Sequence, residues 1–342
     1  MRCPTLNELP PPPPGKKGWP WTAESTQLPD TMADGLPWPK ISIITPSLNQ
    51  GQFIEETIRS VLLQGYPNLE YLIIDGGSTD ESIQIIKKYQ KWLSYWISEP
   101  DNGQANAINK GFKKASGDIV AWLNSDDYYE KKSLMHIARE FNDSHYGFVY
   151  GDTRIVDEFG HTLSFFLARE FSYKDELFHN HVPQQSCFWR RSVFADSGYL
   201  DESYHFTMDY DFWIRCGLKE KFKYVPILLA NSRWHRDAKS ATQSIKFGQE
   251  SLKIFQSLFA SNALPNHLMR YKNRIMQNKY ERLAKDYLAS NLKREARYHF
   301  IKAICANPLR IQNLTLFLYF LDTLLSTNYG YSLQSLRKKC GL

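Results

Sequence analysis

The run Val120–Lys131, VAWLNSDDYYEK, ends an apolar stretch on an amide, a serine and two adjacent carboxylates. Asp126 and Asp127 repel each other unless a positive charge lies near. Such a pair at a strand end points to a divalent cation, and so to a substrate with phosphates. Alternate residues of an extended segment point the same way, so Asn124 and Asp126 face one pocket. Hard oxygens of this kind suit Mg²⁺ or Mn²⁺, which keep several waters and bind through one or two carboxylates plus phosphate. Asp127 alone reads equally well as an acid favoured by a helix N-terminus.

Other residues offer related chemistry. In HFTMDYDFWIRC, one of Asp209 and Asp211 caps a helix while the other faces a substrate, or both are caps. His235, flanked by Arg233 and Arg236, completes a metal site or contacts a diphosphate, or is simply structural. In IIDGGSTDES, two glycines after Asp75 let a ligand approach the backbone, and Asp75 can hydrogen-bond a base or ribose. The plain alternative is a turn in which Ser78 or Thr79 caps the next helix. The segment GQANAINKGFKK offers Asn106, Asn109 and Lys110 either to a strand-end crevice or to solvent. Neither the GxGxxG fingerprint nor a GxxxxGK[ST] loop occurs.

These residues need elements to hold them. Residues 1–39, with LPPPPPGKKGWPWT, form a Pro-rich arm that Trp19 and Trp21 pin to the main domain or that stays mobile. From Lys40 the pattern alternates. KISIITP is a buried strand stopped by Pro46, LEYLIID a second, LSYWIS a third and DIVAWL a fourth. Between them, apolar residues at three- and four-residue steps mark helices through Ile58, Ile85 and Ile108. This alternation predicts an α/β domain over 40–245, with a mostly parallel sheet and helices on both faces. In such sheets ligands gather at the carboxyl ends of strands, where Thr45, Asp75 and Asp126 all fall. The stretch from Tyr146 to Ala230 is less regular, with strands around Gly160 and a strand and short helix ending at Gly198. Residues 246–342 read as helical, with a hairpin in ERLAKDYLASNLKREARYHFIKAICANP.

Bulk properties narrow the class. At 342 residues, 42% apolar and 14% aromatic, the chain can build a sizeable core. Its five cysteines are odd in number, scattered and without CxxC spacing, which favours a reducing, cytoplasmic setting over a disulfide framework or zinc site. No secretory signal pattern opens the sequence. The net charge of +6 is concentrated after Ser251, where fifteen Lys/Arg face four Asp/Glu. That basic tail is a solvated helical surface or meets an anionic partner, including the inner face of a membrane. The run LTLFLYFLDTLL is too short for a membrane span. The charge excess lacks interleaved stacking aromatics, so nucleic acid is not indicated.

In order along the chain, ISIITPSLNQGQF, LEYLIIDGGSTD, EPDNGQANAINKGF, GDIVAWLNSDD, FWRRSVFADSGYLDES, MDYDFWIR and RWH resemble a family-2 glycosyltransferase of the GT-A fold, of the bacterial polysaccharide type. The resemblance implies a Rossmann-like GT-A domain and transfer of a sugar from a nucleoside-diphosphate sugar to an acceptor hydroxyl with inversion. Thr45 and Pro46 would sit beside the nucleobase, and Asp75 would bind base or ribose, with Ser78 and Asn109 in the same donor-binding set. The family's DXD motif falls on Asn124-Ser125-Asp126 and keeps only its second acid. Asp126 would then be the main ligand of Mg²⁺ or Mn²⁺, assisted by Asp127 and His235, with Asn124 left to the ribose. The family's base motif falls on Met208-Asp209, making Asp209 the base without the preceding acid. The acceptor would be a glycan or a lipid-linked glycan. The missing acids keep a non-catalytic sugar-nucleotide binder or scaffold open. A nucleotidyltransferase fits less well, because PSLNQGQF lacks the basic glycine-rich loop.

Overall fold

The computed structural model describes residues 1–236, 238, 242–261, 263–308, 317–320 and 323–324. It forms two compact units, one of residues 1–176 and 180–235, the other of residues 177–179 and 236 onward. The end of the basic tail, past Leu324, lies outside the described residues.

The first unit is built on a nine-stranded sheet. In chain order its elements are β1 (Ile41–Ser47), α1 (Ile54–Leu62), β2 (Leu69–Asp75), α2 (Ser82–Tyr89), β3 (Tyr95–Ser98), α3 (Gln104–Lys114), β4 (Ile119–Trp122), β5 (Tyr128–Tyr129) and α4 (Ser133–Glu140). There follow β6 (Phe148–Val156), β7 (Thr162–Phe166), α5 (Tyr173–Glu176), β8 (Cys187–Arg190), α6 (Val193–Ser197), α7 (Met208–Cys216) and β9 (Phe222–Arg233). The spatial order is β3-β2-β1-β4-β8-β6-β9-β5, with β7 paired to β6. Strands β3, β2, β1 and β4 run parallel, as strand–helix alternation requires. Strand β8 is antiparallel to both β4 and β6, while β6 and β9 run parallel. This is the mostly parallel, helix-covered sheet anticipated from the pattern.

Alternation along β1 shows why helices cover both faces. Ile41 and Ile43 pack with Ile54, Ile58, Val61 and Leu62 of α1, while Ile44 points the other way, against Gly111 of α3. A Cβ on Gly111 would lie 2.5 Å from Ile44 Cγ2, so only glycine lets α3 approach this closely. Farther along the sheet, Phe112, Trp122, Phe148, Trp189 and Trp213 form a continuous aromatic cluster. Trp122, at the end of β4, stacks on Trp213 of α7 with centroids 6.1 Å apart. This contact fixes α7 against the strand that leads into Asn124–Asp127.

Three local expectations are corrected. Pro46 does not stop β1; its missing N–H faces β4, whose pairing with β1 ends at Ile44, while against β2 it pairs in register with Ile74. Asp127 is not at a helix N-terminus, because β5 follows it directly and α4 starts only at Ser133. Neither Asp209 nor Asp211 caps α7, since the cap position belongs to Thr207. The regular strand β9, unmarked by any clean alternation, was not anticipated.

The N-terminal arm is packed, not loose. Cys3, Leu9, Trp21, Met32 and Trp38 are buried, and Trp19 Nε1 donates to Tyr129 O over 2.8 Å. The fully buried Arg59 of α1 donates to the carbonyls of Pro10, Pro20 and Trp21 at 2.9, 3.0 and 2.9 Å. A buried guanidinium needs acceptors, and the arm supplies them.

In the second unit the helices Ser244–Ala260, Lys272–Ala289 and Lys293–Ala306 bury Leu252, Leu283, Ala284, Ala296, Phe300 and Ala303 among themselves. The last two form the anticipated hairpin, turned by Asn291 at φ 59°. No helix among the described residues is long and apolar enough to cross a membrane.

Candidate functional site

The carboxyl ends of β1, β2 and β3 are tied together by Asp75. Its Oδ2 accepts from the N–H groups of Gly77 and Ser78 at 3.1 and 2.9 Å and from Ser98 Oγ at 2.6 Å. Its Oδ1 accepts from Ser78 Oγ at 2.5 Å. Ser78 Oγ in turn accepts from Asn49 N at 2.8 Å, so one hydroxyl joins the β1 and β2 loops. Asp75 is fully buried, and its carboxylate is spent on shaping this crevice. Thr45 is equally buried, sharing a 3.1 Å hydrogen bond with Tyr71 Oη, and Pro46 sits beside it within β1. Ser47, which sequence reasoning did not single out, ends β1 buried, and its hydroxyl makes no hydrogen bond among the described residues. Gly76 sits under Asp101, whose Oδ2 would lie 2.5 Å from a Cβ there.

Asn109 does not face that crevice. Its Nδ2 donates to Leu200 O and Glu202 Oε1, both at 2.9 Å, and its Oδ1 accepts from Leu200 N at 3.1 Å. Asn106 holds the other oxygen of Glu202 at 2.8 Å, and Lys110 pairs with Glu99 at 2.8 Å. The amides of α3 therefore clamp the Leu200–Glu202 loop.

The end of β4 is more densely organised than its sequence implied. Thr57 Oγ1 of α1 donates to Ser125 O at 3.0 Å and Asp127 O at 2.6 Å, fixing the loop from below. Asn124 and Asp126 make separate contacts. Asn124 Oδ1 accepts from Gln104 Nε2 at 2.8 Å, and its Nδ2 donates to Asp127 Oδ2 at 3.1 Å and Gln184 Oε1 at 3.3 Å. Asp127 is buried, and its Oδ1 accepts from Arg233 N at 2.9 Å. Burial, then the neighbouring Asp126 charge, pushes the Asp127 carboxyl up to about 7. Asp126 instead meets His235, with Oδ2 and Nε2 3.1 Å apart.

Arg233, at the end of β9, braces the whole corner. Its Nε donates to Asp126 O at 2.9 Å, one terminal nitrogen to Glu158 O at 2.9 Å, and the other to Glu56 Oε2 at 2.8 Å. Its guanidinium also lies 4.7 Å from the Phe53 ring centroid. Sequence reading placed Arg233 only as a neighbour of His235. The one signal available was its position two residues before that histidine.

Asp126 and His235 together offer a divalent ion two donors. Ligands at about 2.1 Å, set at right angles around an octahedral ion, lie ~3.0 Å apart. The 3.1 Å between Asp126 Oδ2 and His235 Nε2 matches one edge of such an octahedron. No group of three or more candidate His, Cys, Asp or Glu ligands is gathered among the described residues.

Asp209 lies in the first turn of α7, partly open to solvent. Burial raises its carboxyl to about 6, against the N–H of Tyr210 and its own N–H, with a 3.4 Å contact from Asn180 Nδ2. Asp211 faces away, accepting from Arg215 Nε at 2.8 Å. The segment from Asn180 to Cys187 connects the two chemistries: Asn180 touches Asp209, and Gln184 touches Asn124.

The fold, with its mixed sheet and helical C-terminal region, is that of GT-A glycosyltransferases. S. aureus TarS, solved with UDP-GlcNAc, superposes with a TM-score of 0.60 at 18% identity, over 83% of this chain and 89% of that one. The mannosyltransferase PcManGT of Pyrobaculum calidifontis, solved with GDP-Man and Mn²⁺, gives 0.55 at 16% identity, over 90% and 92%. The sequence model of glycosyl transferase family 2 matches residues 42–198. An uncharacterized glycosyltransferase of Mycobacterium tuberculosis is 31% identical over 53% of this chain and 70% of its own length. TuaG of Bacillus subtilis, named a putative teichuronic acid biosynthesis glycosyltransferase, is 35% identical over 41% of this chain and 57% of its own. The chain belongs to glycosyltransferase family 2.

Proposed function

We propose that this glycosyltransferase moves a sugar from a nucleoside-diphosphate sugar to an acceptor hydroxyl with inversion at the anomeric carbon. The observation that carries the reading is the linkage of two carboxylate sites through one segment. Asp126 beside His235 belongs to the leaving-group side, and Asp209, held near neutrality, belongs to the acceptor side.

The donor's nucleoside would lie on the crevice shaped by Asp75 and Ser78, against the end of β1 at Thr45, Pro46 and Ser47. Asp75 acts there through the loop it organises, and Ser47 Oγ remains to bind the ligand. Asn109 acts at one remove, by fixing α3 and the Glu202 loop. Asp126 and His235 would hold Mg²⁺ or Mn²⁺, which when bound offsets the charge gathering on the departing diphosphate. Asn124 would present its amide to the ribose or first phosphate. Asp127 supports the loop from its buried position.

Asp209 would accept the proton of the attacking hydroxyl as the new bond forms. A carboxylate near 6 is a better base at neutral pH than one near 4, and it is still mostly ionised. Attack from the side opposite the diphosphate gives inversion. The raised value favours a working base over a passive scaffold. The putative teichuronic acid chemistry in the name of one relative, TuaG, supports a bacterial polysaccharide acceptor. The basic second unit supports cytoplasmic work against an anionic membrane face. The direct test is release of free nucleoside diphosphate from a panel of nucleotide sugars with Mg²⁺ or Mn²⁺. Turnover in the absence of acceptor is expected for one donor, and none with any donor would leave only a binder.

A further inference from the structure

Between β7 and β8 the chain enters the second unit for the three residues Leu177–His179, while Glu176 before them and Asn180 after them belong to the first. Both ends of this excursion are fixed. In the first unit, His181 N donates to Glu176 Oε2 at 3.0 Å and closes the neck of the loop. Tyr210 Oη donates to Glu176 O at 2.5 Å, which ties the neck to α7 one residue beyond Asp209. Asn180 Nδ2 lies 3.4 Å from Asp209 Oδ2, and Asn180 Oδ1 accepts from Val182 N at 3.2 Å. In the second unit, Leu177 is fully buried, and Lys279 Nζ of the helix Lys272–Ala289 donates to Phe178 O at 3.0 Å. The Phe178 ring lies edge-on to Tyr271 with centroids 6.4 Å apart, and its centroid is 5.2 Å from the Arg274 guanidinium.

We propose that Phe178 is a positioning residue for Asp209: by anchoring Phe178, the second unit holds Asn180 beside the carboxylate that accepts the acceptor's proton. The inference rests on the reading of Asp209 as the base, and it gives the second unit a part in the chemistry. Two peptide links separate Phe178 from Asn180, too few for one to move far without the other. An amide N–H favours the ionised form of a carboxylate, so Asn180 counters part of what burial does. Burial raises the Asp209 carboxyl to about 6; the N–H groups of Tyr210 and of Asp209 itself lower it, Asn180 lowers it as well, and Asp211 raises it. Cys187 of β8 and Tyr210 also feel Asp209. Burial first, and neighbouring acidic groups after it, push both well above their ordinary values, so neither titrates in this range.

The test uses the full chain and two readouts. In acceptor-dependent turnover, wild-type kcat should fall as pH drops through about 6. Asn180→Ala and Phe178→Ala should each move that fall upward by roughly half a pH unit to one unit, and the double variant should move it no further. Affinity for a nucleoside diphosphate with Mn²⁺ should stay at the wild-type value. The second readout needs no turnover. Without the amide the folded value of Asp209 rises further, so the cost of its charge grows at high pH and is absent below the ordinary carboxylate range. The stability gained by Asp209→Asn at pH 8 relative to pH 3.5 should therefore be larger in the Phe178→Ala background, by roughly three- to tenfold in the unfolding constant. A Phe178 that only packs would lower stability equally with Asp or Asn at 209. Tyr271→Ala removes the facing ring, leaves the loop itself intact, and should shift both readouts in the same direction; it stands in if Phe178→Ala does not fold. A midpoint unmoved in Asn180→Ala, or moved there but not in Phe178→Ala and Tyr271→Ala, would overturn the inference and leave the base reading intact. Transfer by Asp209→Asn at the wild-type rate would instead overturn the base reading, and the stability cycle, which needs no turnover, tells the two failures apart.

Discussion

Replacing Asp209 by Asn separates catalysis from stability in a way few other changes would. The carboxyl stands at about 6 in the fold against an ordinary value of 3.8, mainly because burial disfavours its charge. That difference corresponds to about 3 kcal/mol spent on keeping the group ionised in the native state. The sign follows directly. The folded value is raised, so below the ordinary carboxylate range the group is neutral in both states and costs nothing. Between pH 3.8 and about 6 the unfolded chain ionises the group freely while the native state keeps it protonated, so the cost grows with pH. Above about 6 the full cost is present. Asp209→Asn should therefore leave stability unchanged near pH 3.5 and raise it by up to about 3 kcal/mol at pH 8, measured by urea unfolding at both pH values. Over the same range, loss of the base should lower acceptor-dependent kcat by roughly 10²–10⁴, with nucleotide affinity retained. In the wild type, kcat should fall as pH drops through about 6. A variant that transfers sugar at the wild-type rate, or whose stability gain is the same at both pH values, would refute the reasoning.

Three further outcomes follow from the same geometry. Asp126→Ala and His235→Ala should each weaken nucleoside-diphosphate binding in the presence of Mn²⁺ and leave metal-free binding alone; identical titration isotherms with and without Mn²⁺ would remove both from the metal. Arg233→Ala strips a buried cation from Glu56 and from the carbonyls of Asp126 and Glu158, and should cost about 3–5 kcal/mol in denaturant unfolding. A loss under 1 kcal/mol would mean that the corner holds without it. Deleting residues 1–22 removes three carbonyl acceptors from the buried Arg59 guanidinium, and should destabilise the domain by more than 3 kcal/mol; an unchanged melting temperature would make the arm an ornament.

The parallel half of the sheet was legible because β1, β2 and β4 are buried throughout and read as short, largely apolar runs. LEYLIID is the whole of β2, from Leu69 to Asp75. The other half hid itself for the converse reason. In β9 the burial pattern wanders, Pro226 interrupts the run, and register shifts against β6 break any period of two. The positions of Asp126 and Asp209 could be found because local spacing marks them. Their environments could not. Nothing near residue 124 in sequence announces Gln104 or Gln184 as its partners, and nothing near Asp209 announces Asn180, because those contacts are set by how distant loops return to the sheet. The arm's fate was equally hidden. Pro-rich composition excludes helix and interior strand, yet the decisive fact is a buried arginine on α1 that needs carbonyls, and pairings of that kind are not local.

The neutral residue at 124 makes physical sense once Asp127 is seen. Its carboxylate is buried, lies 3.1 Å from the Asn124 amide nitrogen, and already titrates near neutrality beside Asp126. An aspartate at 124 would replace that donated hydrogen bond with a third carboxylate at hydrogen-bond distance, in a corner with little water to screen it. Gln184 would lose its donor partner as well, although Gln104 could still donate. The amide thus trades one negative charge at the strand end for a hydrogen-bonded frame that holds Asp127 inward and leaves Asp126 paired with His235. On the proposed function, metal affinity given up at position 124 would be offset by the imidazole, which would add a ligand without adding charge. Under the proposed function, the departure from an acid–x–acid motif would move part of the ion's coordination from β4 to His235, just after β9, and it gives no ground for reading the site as inactive.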